Sequence, residues 1–129
     1  NTRLVGSEMC IRDSFYGILG YSQGCPMATV YIANSNVSFE KAFLFNGYLP
    51  STHSGLNDTI NEAAPLDVDA LIFGGGNDVF IFGVDELAGV YQEPTVIISS
   101  TADHHLPTAG DEVYRDILAF FRQGTDEVP

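Results

Sequence analysis

The sequence predicts an α/β protein, with a parallel sheet of about four strands and helices on both faces. Short apolar runs, typical of buried strands, alternate along the chain with segments whose apolar residues have helical spacing. This alternation favours a parallel sheet, because each connection between parallel strands must cross a face of the sheet. With 129 residues, of which 45% are hydrophobic, the chain can bury one core, so we expect one domain or part of one.

The beginning of the chain does not fit this pattern. Residues 1–14, NTRLVGSEMCIRDS, have neither strand nor helix periodicity, and residues 8–14 resemble the translation of a transposon-end adapter used to prepare sequencing libraries. We therefore expect 1–14 to be a non-native leader and 15–129 to be a partial domain whose N-terminal half is missing. Cys10 lies in this leader, which leaves Cys25 alone and predicts neither a disulfide nor a cysteine metal site.

The first predicted element after the leader is a strand that turns sharply into a helix. It lies in the apolar stretch YGILGYSQGCPMATVYIA at 16–33, where GYSQG fits the G-x-S-x-G turn. Such a turn, a nucleophile elbow, holds Ser22 in a strained backbone and projects its hydroxyl above the sheet. We expect side chains at Gly20 or Gly24 to collide with neighbouring backbone. The N–H of Gln23 begins the helix without an acceptor and can point at a developing oxyanion.

A second strand and a loop are predicted next. Residues 41–48, KAFLFNGY, form a continuous apolar run that is typical of a strand buried on both faces. Residues 49–67 are polar and contain Pro50 and Pro65, so we predict a loop that lines the mouth of the active site. His53 in this loop is interpreted as a solvated loop residue, with a substrate contact as the alternative.

The rest of the chain predicts two strands and two helices. A strand at 70–73 precedes GGGND, whose glycines let the chain leave the sheet tightly and bring Asp78 to its rim. This segment lacks the Lys-Ser/Thr pair of a P-loop and the G-x-G-x-x-G spacing, so phosphate binding is not expected. Residues 84–91 fit a short helix, and the β-branched run at 94–100 predicts another buried strand. A closing helix at 111–122 places four apolar residues on one face: Val113, Ile117, Phe120 and Phe121.

Three chemically distinctive residue types follow three of the predicted strands: Ser22, Asp78 and either His104 or His105. Parallel strands bring their carboxyl ends to one edge of a sheet, so these side chains can meet there. A serine hydroxyl becomes a good nucleophile when a neutral imidazole takes its proton and a carboxylate orients that imidazole. Asp103 is an alternative acid, but it is nearly adjacent to His104 in sequence and would struggle to reach the far ring nitrogen.

The chain resembles a known family in four segments that match in order and spacing: YGILGYSQGCPMA, FLFNGYLP, LIFGGGND and PTVIISSTADHHLP. This is the serine hydrolase family of small lidless α/β hydrolases best known from fungi and other eukaryotes. The resemblance implies the C-terminal half of an α/β-hydrolase fold and hydrolysis of carboxylic esters or thioesters through an acyl-serine. It implies Ser22 as nucleophile, Asp78 as acid and His104, three residues before a proline, as base. His105 remains the alternative base, because Ala-Asp precedes His104 where the family usually has two glycines.

Two alternative functions remain open, and the composition limits the partners. The main interpretation is a serine hydrolase with the Gln23 N–H as one oxyanion donor. The first alternative is an inert fragment that lacks the second oxyanion donor. The second is an acyl-protein thioesterase-like hydrolase, which shares the Ser-Gln-Gly turn. We expect no cofactor and no metal. A net charge of -12 argues against nucleic acid or an anionic membrane as partner, and no apolar run is long enough to span a membrane. The expected partner is a small-molecule ester or thioester, and the expected location is cytoplasmic; the oligomeric state is left open.

Overall fold

The computed structural model describes residues 14–35, 38–50 and 52–122. In these ranges the sheet has four parallel strands in sequence order: β1 (Ser14–Tyr21), β2 (Ser38–Phe45), β3 (Asp69–Gly75) and β4 (Thr95–Ser99). The helices in the same ranges are α1 (Gly24–Asn34), α2 (Ser54–Ala63), α3 (Phe82–Ala88) and α4 (Tyr114–Arg122). The predicted α/β class and parallel sheet of about four strands are confirmed.

The predicted leader falls almost entirely outside these ranges. Residues 1–13 are not described, whereas Ser14 begins β1 and pairs with Ser38 of β2. The boundary between leader and domain therefore stays a prediction, and Ser14 is already part of the sheet.

The two central strands, β2 and β3, are buried on both faces because helices cover each side of the sheet. Successive side chains of a strand point to opposite faces, so two cores form. The core beneath α1, α2 and α3 contains Ala42, Leu44, Ala70 and Ile72 with Ala28, Ile60 and Leu87 from the helices. The core beneath α4 contains Phe43, Phe45, Leu71 and Phe73 with Ile117 and Phe120.

The register of the sheet brings the carboxyl ends of the strands to one edge. Tyr21 pairs with Phe45, Phe45 with Phe73, and Gly75 with Ser99. The loops that follow β1, β2, β3 and β4 therefore begin side by side, which is the arrangement that a shared site requires.

The prediction of a loop over 49–67 is wrong for residues 54–63, which form α2. His53 is the N-cap residue of this helix, and its Nδ1 accepts a hydrogen bond from the Leu56 N–H at 3.2 Å. Ile60 is fully buried and anchors the helix to the sheet. A capping histidine is a weak signal, and the apolar residues of α2 are few. Leu56, Ile60 and Ala63 nevertheless have helical spacing, four and three residues apart, which the loop prediction overlooked.

Two further predictions need correction. The run at 94–100 is predicted to form a buried strand. It contains β4, but the side chains of Val96 and Ile98 in this strand are 44% and 47% exposed. Both side chains lie outside the two buried cores, because β4 is the last strand of the described sheet. On α4, Ile117 and Phe120 are buried as predicted, whereas Phe121 is half exposed.

Within the described residues, no helix combines the length and hydropathy that crossing a membrane requires.

Candidate active site

Ser22 lies in the turn that joins β1 to α1, and its backbone has a φ of 56°. This left-handed conformation is uncommon for a residue other than glycine. Neighbouring hydrogen bonds hold it: the Ser22 N–H donates to the Phe45 carbonyl at 2.9 Å, and the Ser22 carbonyl accepts from the Cys25 N–H at 3.0 Å. The turn is thus tied both to the end of β2 and to the first turn of α1.

Of the two glycines that flank this turn, the structure requires one. A Cβ added at Gly20 would lie 2.7 Å from the Gly24 carbonyl oxygen and 2.9 Å from the Cys25 nitrogen. A Cβ added at Gly24 would meet nothing within 4 Å. The expected collision is therefore correct for Gly20 and wrong for Gly24, since Gly24 begins α1 on a side that faces open space.

The hydroxyl, imidazole and carboxylate singled out in the sequence form a hydrogen-bonded chain. Ser22 Oγ lies 2.8 Å from His104 Nε2, and His104 Nδ1 lies 2.7 Å from Asp78 Oδ2. With its proton on Nδ1, the neutral imidazole donates to Asp78 and accepts from the Ser22 hydroxyl. The Asp78 side chain is 1% exposed and that of His104 is 31% exposed, so the carboxylate is enclosed while the imidazole reaches solvent.

The Asp78 carboxyl has a pKa below its usual value. Burial alone raises this pKa, but hydrogen bonds favour the ionised form and outweigh burial. The Phe80 N–H donates to Asp78 Oδ1 at 2.9 Å, while His104 and the Asn46 amide, the latter at 3.2 Å, bond to Oδ2. Asp78 is therefore held as an ionised hydrogen-bond acceptor beside the imidazole.

Gly75, the last residue of β3, allows the Asp78 loop to lie against the His104 loop. A Cβ added at Gly75 would overlap the carbonyl oxygens of Asp103 and Ala102. The Asn77 N–H donates to the Ala102 carbonyl at 3.0 Å. The absence of a side chain at Gly75 thus lets the two loops approach closely enough for the Asp78 and His104 side chains to touch.

Two aromatic residues, Tyr21 and Phe80, pack against the His104 imidazole. The Tyr21 hydroxyl donates to the His104 carbonyl at 2.9 Å, and the two rings have a centroid distance of 5.4 Å. The Phe80 ring lies 5.2 Å from the His104 ring. These contacts fix both the backbone and the ring of His104 beside Ser22.

The alternative site residues lie elsewhere in the same loop. His105 accepts the Asp103 N–H on Nε2 at 3.3 Å, and its Nδ1 lies 3.0 Å from the Leu106 carbonyl oxygen. The structure thus engages the His105 ring with its own loop, and it places Asp78 rather than Asp103 against the ring of His104.

Gln23 follows Ser22 directly as the N-cap residue of α1, so its N–H lies at the positive end of the helix. Cys25, two residues further on, is fully buried, and its thiol donates to the Gly20 and Phe45 carbonyls at 3.3 and 3.4 Å. Burial raises the pKa of Cys25 to about 12, although backbone hydrogen bonds oppose the rise. The thiol is therefore un-ionised and belongs to the core.

One residue of the site, Asn46, was not predicted from the sequence. It is 2% exposed, it follows β2 directly, and its amide donates to the Asp78 carboxylate. The available signal was its position: a polar residue at the carboxyl end of a buried apolar strand, on the same edge as Ser22 and Asp78.

Across residues 14–35, 38–50 and 52–122, no group of three or more His, Cys, Asp or Glu side chains is placed to hold a metal ion.

Comparison with known proteins gives a family and a fold. A model of the family described as Serine hydrolase (FSH1) matches residues 3–115. No curated protein matches the chain. Among solved structures, the chain is similar to acyl-protein thioesterase 2 from Zea mays, with a TM-score of 0.53 and 18% sequence identity. That alignment covers 81% of this chain and 55% of the maize chain, so the chain spans about half the length of the structure it matches, and the likeness concerns the fold.

The family match begins at residue 3, inside the segment 1–14 that the sequence pattern sets apart. It extends through β1, β2, β3 and β4 and includes the loops that carry Ser22, Asp78 and His104. Because the match covers most of the sequence, the chain belongs to the serine hydrolase (FSH1) family.

Proposed function

We propose that this chain hydrolyses carboxylic esters or thioesters through an acyl-serine intermediate, with Ser22, His104 and Asp78 as its catalytic triad. The observation that carries the proposal is the unbroken hydrogen-bonded chain from the Ser22 hydroxyl through the His104 imidazole to the Asp78 carboxylate. Membership of a serine hydrolase family supports the same chemistry.

Each residue has a distinct role in the proposed reaction. Ser22 Oγ attacks the substrate carbonyl carbon while His104 Nε2 takes the hydroxyl proton. The tetrahedral intermediate then collapses, the bond to the leaving group breaks, and His104 returns the proton to that group. Water then attacks the acyl carbon while His104 takes its proton, the bond between that carbon and Ser22 Oγ breaks, and His104 returns the proton to Ser22 Oγ as the carboxylic acid leaves. Asp78 keeps the proton of the imidazole on Nδ1 and stabilises the imidazolium that forms in each step.

The negative charge on the carbonyl oxygen needs hydrogen-bond donors. We assign the Gln23 N–H as one of them, because it follows the nucleophile at the start of α1. In α/β hydrolases the second donor comes from a loop after an earlier strand. Loss of one such donor typically lowers kcat by about 10²–10³.

An inert fragment is the competing proposal. Its supporting observation is that, among the described strands, β1 pairs only with β2, so no described strand lies on the side of Ser22 away from β2.

Steady-state hydrolysis separates the two proposals. A p-nitrophenyl ester and an acyl thioester are incubated with the folded chain and with Ser22→Ala. Turnover lost in Ser22→Ala supports the hydrolase, whereas equal background rates with both proteins support the inert fragment.

The substrate remains a small-molecule ester or thioester. The maize structure is that of an acyl-protein thioesterase, and a similar activity is an alternative for this chain that the ratio of ester to thioester turnover distinguishes. The cytoplasmic location stays a proposal from the sequence.

A further inference from the structure

Asn46 occupies an unusual position at the edge of the site. It follows β2 with a φ of 56°, it is 2% exposed, and its backbone N–H donates to the Phe73 carbonyl at 2.9 Å. Its side-chain Oδ1 is buried and has no hydrogen-bond partner among the described residues. The unpaired buried carbonyl oxygen opposes stability, whereas asparagine is among the residues that tolerate a left-handed backbone. Packing alone therefore gives no reason for an asparagine at this position.

The amide nitrogen of Asn46 supplies that reason, because it joins the two loops that carry Asp78 and His104. Nδ2 donates to Asp78 Oδ2 at 3.2 Å and to the Asp103 carbonyl at 3.3 Å. Asp78 Oδ2 is the same oxygen that bonds to His104 Nδ1, and Asp103 is the residue before His104. One NH₂ group thus fixes the carboxylate and the backbone next to the imidazole relative to each other.

We propose that Asn46 is a positioning residue for the hydrolytic reaction, which sets the separation and orientation of Asp78 and His104 through a single amide. The inference rests on the proposed function. It assigns to Asn46 no contact with substrate. Its effect is on the rate of the chemical step, because the imidazole must stay aligned with Ser22 Oγ as the proton moves.

The competing interpretation is that Asn46 only accommodates the left-handed backbone at the end of β2. Asn46→Gly and Asn46→Ala separate the two roles. Both remove the amide, but glycine adopts a φ of 56° without strain and alanine does not. A loss of rate common to both variants reports the amide, and a loss confined to alanine reports the backbone.

The measurement is covalent labelling of Ser22 by a fluorophosphonate, which reacts with activated serines. Its dependence on probe concentration gives kinact for the chemical step and KI for binding. We expect both variants to lower kinact about 10- to 100-fold with KI unchanged, as for loss of a hydrogen bond to a charged group. Asn61→Ala, an exposed position on α2, is the matched control and keeps the wild-type kinact.

A double-mutant cycle adds a result that a purely structural role would not give. If Asn46 acts through the carboxylate, Asn46→Gly changes kinact by less than about 3-fold when Asp78→Asn is already present. Circular dichroism establishes that each variant is folded, and if Asn46→Gly does not fold, the same cycle of Asn46→Ala with Asp78→Asn tests the action through Asp78.

Four outcomes overturn the inference. A folded Asn46→Gly that keeps kinact within about 3-fold of wild type contradicts the positioning role alone. A wild-type rate in a folded Asn46→Ala contradicts it equally. An equal loss with and without Asp78→Asn contradicts the action through Asp78. A folded wild-type chain that is not labelled contradicts the proposed function, and the positioning role with it.

Discussion

At the scale of single residues, the site depends on keeping one carboxylate ionised inside the protein. The Asp78 side chain is 1% exposed, and three neighbouring groups bond to its oxygens: the Phe80 N–H, the Asn46 amide and the His104 ring. These bonds more than offset the effect of burial on the pKa. The charge of Asp78 is thus directed at the imidazole nitrogen that faces away from Ser22.

Asp78→Asn should greatly slow the proposed reaction at Ser22 while leaving the fold in place. The amide has nearly the same shape, but it no longer holds the proton of the His104 ring on Nδ1. We expect fluorophosphonate labelling to slow about 10³- to 10⁴-fold. Asp103→Asn is the matched control, because its carboxyl is the alternative acid, and it should label within about 3-fold of wild type. The reverse ranking of the two variants would show that the acid is misassigned.

The same carboxylate makes stability depend on pH. The pKa of Asp78 is lower in the folded chain than its usual value. Its ionised form therefore stabilises the fold above the unfolded pKa of about 3.9, and this contribution is lost as the pH falls through the folded value. In urea unfolding, the stability difference between wild type and Asp78→Asn should shrink between about pH 5 and pH 2. A difference that stays constant over this range would contradict the charge-dependent contribution.

The sequence predicts the residue types at the strand ends, but it does not decide between neighbours. Ser22 and Asp78 each follow a recognisable strand with glycines nearby. His104 and His105 are adjacent in one loop, and which ring faces Ser22 depends on the loop's own hydrogen bonds. The role proposed for Asn46 depends on its contact with Asp78, 32 residues further along the chain, and no local sequence pattern predicts such a contact.

At the scale of secondary-structure elements, the turn between β1 and α1 shows that the two glycines of the G-x-S-x-G motif are unequal. Gly20 lies against the backbone at the start of α1, whereas Gly24 faces open space. The sequence motif requires glycine at both positions alike, and only the three-dimensional contacts show that the two positions differ.

Gly20→Ala and Gly24→Ala form a matched pair that tests this difference. The Cβ at Gly20 would lie 2.7 Å from a backbone oxygen, so α1 must move away from β1 and carry Ser22 with it. We expect at least about a 10-fold slower labelling and a loss of roughly 1–3 kcal/mol in stability. Gly24→Ala should retain the wild-type labelling rate and stability within about 1 kcal/mol. Equal effects of the two substitutions would contradict the described packing of the turn.

The helix α2 shows why element prediction fails where the apolar pattern is sparse. Ile60 is its fully buried residue, and His53 rather than serine or aspartate caps it. By contrast, β2 and β3 are apolar on both faces, because each lies between two helical layers. Continuous apolar runs therefore predicted both strands, although β2 begins and ends three residues before the predicted run at 41–48. A mostly polar surface helix was read as a loop.

At the scale of the whole molecule, the sheet separates two cores and presents Ser22, Asp78 and His104 on the edge between them. Phe73 belongs to the core under α4 and is fully buried, and its carbonyl accepts the Asn46 N–H. The strand that supports the site is thus also the strand that holds the core. Alternation of strands and helices predicts this architecture, whereas the exposure of β4 depends on which neighbours cover its faces.

Phe73→Ala should destabilise the entire domain. Removing a fully buried aromatic ring typically lowers the free energy of unfolding by about 3–5 kcal/mol. Val79, 79% exposed, provides the control, and Val79→Ala should change stability by less than about 0.5 kcal/mol. Urea unfolding followed by circular dichroism measures both, and a loss below about 1 kcal/mol for Phe73→Ala would show that this core does not support the fold.

The most direct test of the proposed triad is to map fluorophosphonate labelling in wild type, His104→Ala and His105→Ala by peptide mass spectrometry. The hydrogen-bonded chain predicts one adduct, on Ser22, formed at least about 10³-fold more slowly in His104→Ala and at the wild-type rate in His105→Ala. An adduct on another residue, or labelling that survives His104→Ala and is lost in His105→Ala, would contradict the assignment.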